Sequence, residues 1–119
     1  MTTAQFHALR SHLSELRERG YSNFHHGDCV GADDEAQRVA RECGFLIFAH
    51  PPLSDDYRAF ARYDWRCPAK GYLERNRDIV DQASFLLAAP STPDEQQRSG
   101  TWSTVRYARS RFVPVTILW

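Results

Sequence analysis

The stretch Y-S-N-F-H-H-G-D-C-V-G-A-D-D-E-A-Q-R-V-A-R-E-C-G-F-L-I-F-A (21–49) decides the fold. Residues 21–26 are short and aromatic, which suits a strand, and Gly27 ends it. Ala36, Val39, Ala40 and Cys43 then recur at helical spacing, with Gly44 as the stop. Phe45 to Ala49 are all apolar, as in a strand covered on both faces, and Pro51-Pro52 end the run. Strand, helix, strand is the pattern of a parallel sheet.

Working outward, the same alternation continues. Phe6, Leu9, Leu13 and Leu16 predict an amphipathic helix over 3–19, opened by a Thr2/Gln5 capping box and stopped at Gly20. Residues 53–71 have less pattern: Tyr57, Phe60 and Ala61 allow a short helix, and Tyr63 to Lys70 read as loop. Helical spacing resumes at Leu73, Asn76, Ile79/Val80 and Ala83. Phe85 to Ala89 is a second wholly apolar strand, stopped by Pro90, and 91–99 is a loop. Gly100-Thr101 opens a helix through Arg111, with Trp102, Val105 and Ala108 on one side, and 113–119 forms a last strand. The expectation is one α/β domain over 1–119, with a mostly parallel sheet and helices on both faces.

Composition narrows the function. The chain has 119 residues, 42% of them hydrophobic, enough to bury a core. Fifteen basic residues balance fifteen acidic ones, which argues against attraction of a polyanion by the whole surface. The balance is uneven along the chain, five Arg against seven acids over 1–53 and ten basic residues against eight acids over 54–119, so one local anion pocket remains compatible with it. Three cysteines without a C-x-x-C pair suit a reducing compartment and no thiolate metal site. No signal segment and no spanning apolar run is visible, so a cytoplasmic protein without a membrane partner is expected.

Ligands of parallel sheets bind beyond the carboxyl ends of the strands. Two turns there have the makings of an anion site: His26-Gly27-Asp28-Cys29-Val30-Gly31-Ala32-Asp33 and Ser99-Gly100-Thr101-Trp102. In each, glycine admits close approach and a helix start offers free amides. Arg75 and Asn76 open the helix between them, where a cation opposes the helix dipole, and Arg75 is read as the partner of a phosphate or ribose. Trp102 either stacks on a base or anchors its helix. His25, His26, Asp28, Cys29 and His50 are the residues a metal site could draw on, but adjacent His25 and His26 point to opposite faces of a strand, so no metal site is expected, and no cofactor. Cys29 is read as an inert, buried thiol. Tyr57, Tyr63 and Trp65 are read as a lid or a homodimer contact.

H-G-D-C-V-G-A-D (26–33), H-P-P (50–52), Y-L-E-R-N-R-D-I-V (72–80), L-L-A-A-P (86–90) and R-S-G-T-W-S-T-V-R-Y-A-R (98–109), taken in order, resemble the SLOG superfamily. That group includes the DNA-processing protein DprA and the LOG phosphoribohydrolases, and the resemblance is to its small single-domain bacterial and phage branch. It implies a three-layer Rossmann-like fold that binds a nucleotide or nucleotide-derived ligand. The LOG signature P-G-G-x-G-T-x-x-E, with an Arg upstream, places that Arg on Arg75, the only catalytic residue expected, and the Gly-Thr pair on Gly100-Thr101. The family's Glu falls on Thr104, which has no carboxylate for glycosidic chemistry. The relatives also begin with a short strand and a G-x-T-G-x-R-like turn, whereas Met1-Thr2-Thr3-Ala4-Gln5 matches a later point. A sheet lacking that first strand, with a gap between the strands at 21–26 and 85–89, is therefore expected. The resemblance implies a nucleotide sensor or an N-glycosidic hydrolase. The alternatives are a DprA-like binder of single-stranded DNA, disfavoured by the neutral charge, and a non-catalytic interaction module of phage or defence biology.

Overall fold

Thr2 and Gln5 close the expected capping box: the Thr2 hydroxyl accepts from the Gln5 amide at 3.0 Å, and the Gln5 side chain accepts from the Thr2 amide at 2.9 Å. In this computed structural model, which describes every residue from Met1 to Trp119, α1 (Thr3–Glu18) follows. Buried Gln5 also donates to the Pro90 and Leu118 carbonyls, fastening the start of α1 to the far half of the molecule. β1 (Asn23–His26), α2 (Ala32–Glu42) and β2 (Leu46–Ala49) form the unit expected of 21–49. Asp33, Asp34 and Glu35 occupy the first turn of α2, where they complement its dipole. β1 and β2 are parallel, Asn23 opposite Leu46 and His26 opposite Ala49.

The next segment departs from expectation. No helix forms around Tyr57 to Ala61, because the amides it would use are committed to the turn after β1. The Ala59 amide donates to the Asp28 carbonyl at 2.8 Å and the Ala61 amide to the Asp28 carboxylate at 2.9 Å. Phe60 between them has φ +54, outside helical geometry. A two-residue strand, β3 (Trp65–Arg66), then pairs parallel with β2. It was invisible in the sequence because backbone bonds make it, Asp64 to the Ile47 carbonyl and Cys67 to the Ala49 carbonyl, while its side chains stay exposed.

α3 (Tyr72–Asp81), β4 (Leu86–Ala88), α4 (Gly100–Ser110) and β5 (Val115–Ile117) complete the chain, with β4 and β5 parallel. The result is mixed α/β, compatible with a Rossmann-like class. Its strands form two small sheets, β1-β2-β3 and β4-β5, instead of one continuous sheet. β1 and β4 do not pair, and the break falls between the strands where the gap was expected.

β4 alternates its side chains between two cores. Leu87 packs against the cluster of Leu9, Leu13, Val39, Phe45, Ile47 and Leu118, which joins α1, α2 and β2. Leu86 and Ala88 face Trp102 and Val105 of α4, together with Val115 and Ile117. No helix is long and apolar enough to cross a membrane.

Candidate functional site

A cavity of about 740 Å³ runs between the facing edges of β1 and β4. Residues 21–27 line one wall and residues 84–89 the other, with Leu9, Leu13 and Leu16 of α1 and Ile79 of α3 enclosing it. Its backbone walls are open edges. The Leu46 amide donates to the Ser22 carbonyl and the His50 amide to that of His26, so parallel alternation turns the Asn23 and His25 backbone toward the slot. The same pattern in β4, set by Leu86 and Ala88 bonding toward β5, turns Leu87 toward the slot.

At the carboxyl ends of the strands three segments meet around this cavity. The turn after β1 brings Gly27, Cys29, Ala32 and Asp33, α3 brings Arg75 and Asn76, and α4 brings Gly100, Thr101 and Thr104. Arg75 is only 5% exposed. Its Nη1 donates to the Gly27 carbonyl and, at 3.2 Å, to the His50 carbonyl, so the guanidinium ties together the ends of β1 and β2. Nε donates to the Asn76 side chain at 2.8 Å, and Nη2 reaches the Cys29 sulfur at 3.8 Å. Arg75 forms no salt bridge, and this buried cation has none of the carboxylate partners (Asp28, Asp33, Glu74) that a purely structural role would suggest. Asp33 accepts the Cys29 amide at 3.2 Å. Burial, reinforced by Asp33, pushes the Cys29 thiol up, away from a reactive thiolate.

The other residues singled out from the sequence lie elsewhere. Asp28 is 1% exposed and faces away from the cavity. Its carboxylate accepts from Arg58 Nε at 2.9 Å and from the Ala61 amide, which makes it the anchor of the 55–61 loop. Gly31, with φ +92, starts α2 outside the cavity lining. Ser99 caps α4, its hydroxyl accepting from the Trp102 amide at 3.3 Å. Trp102 is buried against Ala88 and Val105, anchoring its helix.

Two arrangements go beyond the sequence reading, which groups His25 with His50 only as metal candidates. Arg58 completes the buried pair with Asp28. His25, His50 and Cys67 form a polar chain behind the turn, with His25 Nδ1 2.8 Å from His50 Nε2 and Cys67 Sγ 3.7 Å from the same nitrogen. Burial, then the neighbouring His25, pushes His50 down to about 4. These side chains are brought together by strand pairing across residues far apart in the chain, which no local pattern encodes. No group of three or more His, Cys, Asp or Glu side chains is placed to hold a metal ion. No family model matches the chain, and no curated protein or solved structure is found to be similar to it.

Proposed function

We propose that the protein is a SLOG-type, three-layer Rossmann-like domain that binds a nucleotide or nucleotide-derived ligand at the carboxyl mouth of the slot. The observation that carries this reading is Arg75, buried without a direct salt bridge and lining the same cavity as the open start of α4. The Gly100 and Thr101 amides meet no acceptor in the protein. Arg75 spends Nε and Nη1 on the protein and leaves Nη2 with only a weak sulfur contact. Backbone amides at a helix start and a guanidinium edge form a binding set for a phosphate. The apolar interior of the slot then takes the uncharged part of the ligand.

Sensing is favoured over hydrolysis by Thr104, whose hydroxyl donates to the Gly100 carbonyl at 2.9 Å, and by the absence of any acidic residue in the first turn of α4. A glycosidic step would have to draw its carboxylate from Asp33 across the mouth. Thermal denaturation with nucleoside monophosphates, ADP-ribose and cyclic nucleotides tests the reading: at least one is expected to raise the melting temperature in a concentration-dependent way. No shift with any of them overturns it. An assay for free base separates turnover from sensing.

A second reading, binding of single-stranded nucleic acid, draws on the surface at 57–66. Tyr57, Phe60, Tyr63 and Trp65 are exposed there, interleaved with exposed Arg62 and Arg66. Salt-dependent binding of an oligonucleotide, lost on Trp65→Ala, would favour this surface over the slot.

A further inference from the structure

His26 ends β1 one residue below Gly27, is 4% exposed and lines the slot. Its ring is held in one state. The Asp28 amide donates to Nδ1 at 3.0 Å. A ring nitrogen that accepts from a backbone amide carries no proton, so the neutral imidazole places its proton on Nε2. Burial keeps the ring neutral, pushing its pKa down against the upward pull of Asp33 and Asp28. That Nε2–H donor meets no acceptor in the protein. Trp102 Nε1 is the one other buried side-chain donor in this position, and Trp102 lies outside the slot. An unmet buried donor is costly to a fold, and an incoming acceptor relieves the cost.

We infer that His26 Nε2–H is a recognition donor for an uncharged acceptor atom, a carbonyl oxygen or ring nitrogen of a nucleobase inserted into the slot with its phosphate at the mouth. This inference rests on the nucleotide reading above and adds the orientation of the ligand. The charged donors, Arg75 and the start of α4, stand at the carboxyl mouth. Deeper in, the walls are Leu9, Leu13, Phe24 and Leu87, where a second anionic group would lose its hydration and find only neutral donors, His26 Nε2–H and the open backbone amides, in return. A flat heteroaromatic ring loses little there and offers an acceptor at its edge. Since Nε2–H only donates, a ring edge that presents an N–H to this nitrogen is rejected there.

The test uses calorimetric titration of wild type and His26→Asn with the four nucleoside 5′-monophosphates and with ribose 5-phosphate. The Asn oxygen can take the Asp28 amide in place of Nδ1, which keeps the turn while removing the Nε2 donor. The best-binding nucleotide is expected to lose about 5- to 10-fold in affinity in the variant, the worth of one neutral hydrogen bond, with ribose 5-phosphate unchanged. ¹⁵N spectra of the wild-type imidazole provide a readout that needs no variant. An Nε2–H signal is expected at neutral pH, moving downfield with the nucleotide and staying in place with ribose 5-phosphate. If the nucleotide binds, the Nε2–H signal stays still and His26→Asn binds as well as wild type, the recognition role is overturned while phosphate binding stands. If none of the four nucleotides binds wild type, this inference is overturned, and the nucleotide reading falls with it only if ADP-ribose and the cyclic nucleotides also fail to bind.

Discussion

A methyl group added at Gly27 would lie 2.6 Å from Arg75 Nη1, 2.8 Å from its Cζ and 2.9 Å from Asp33 Oδ2, whereas one added at Gly100 would meet nothing within 4 Å. Both glycines sit where a strand gives way to a helix, and in sequence the two turns look alike. In the fold they do opposite work. The turn after β1 is filled: Arg75 takes its carbonyl, His26 takes the Asp28 amide, and Asp28 reaches out to hold Arg58 and the 55–61 loop. The turn into α4 has its Ser99 cap but leaves two amides free. A glycine with a crowded Cβ position is needed for packing. A glycine facing open space, beside unpaired amides, leaves room for something else.

The largest expected effect follows from emptying the filled turn. Arg75→Met leaves the Gly27 and His50 carbonyls buried without their donor, at a cost of about 4 kcal/mol in urea unfolding. Arg75→Lys restores charge without the planar fork and is expected to recover less than half of that loss. Full recovery by Lys would mean that charge alone holds the turn.

Next in size is the contrast between the glycines. Gly27→Ala forces the Arg75 guanidinium aside and is expected to cost about 3 kcal/mol. Gly100→Ala, in a helix start with room for the methyl group, is expected to stabilise by about 0.5 kcal/mol through the unfolded chain. Equal costs at both sites would erase the distinction between the two turns.

The same contrast explains which parts of the protein could be read in advance. Helices announced themselves because Leu9, Leu13, Val39 and Val105 recur at helical spacing, and caps at Thr2 and Ser99 are local chemistry. The apolar runs at 45–49 and 85–89 likewise placed β2 and β4. The motif residues could be brought to one edge of the strands, but their division of labour could not. Whether Asp28 faces a ligand or Arg58 is decided by a loop thirty residues away, and whether Arg75 is neutralised depends on which carboxylates the fold brings near it. β3 escaped because two backbone bonds and the Asp64 carboxylate, which accepts from the Ile47 amide at 2.7 Å, hold it while its own side chains stay exposed.

A third difference between the turns is acid sensitivity. Behind the filled turn lies the His25–His50–Cys67 chain, whereas α4 carries no histidine. His50 sits at about 4 in the folded protein, below an ordinary histidine, because burial and His25 disfavour its charge. The unfolded chain therefore binds a proton that the folded one refuses, and stability falls as pH drops from about 6.5 toward 4. The loss from this group is about 2 kcal/mol at pH 5 and levels off below pH 4. His50→Phe is expected to flatten this limb in urea titrations at several pH values. An unchanged slope would show that the acid response arises elsewhere.

The smallest expected change in stability is at Thr101, and it bears most directly on the open turn. Thr101 lines the mouth at the second residue of α4, and its hydroxyl has no partner in the protein. Removing it leaves no hydrogen bond broken, and alanine is the better helix former, so Thr101→Ala is expected to change stability by less than about 0.5 kcal/mol. If the open turn holds a phosphate, the hydroxyl is one of its donors, and the same substitution should weaken a bound nucleoside monophosphate about 5-fold. A variant with wild-type stability and weaker binding would assign the open turn to the ligand. A variant with unchanged binding would move the anion toward Arg75, and the turn into α4 would then be open without being used.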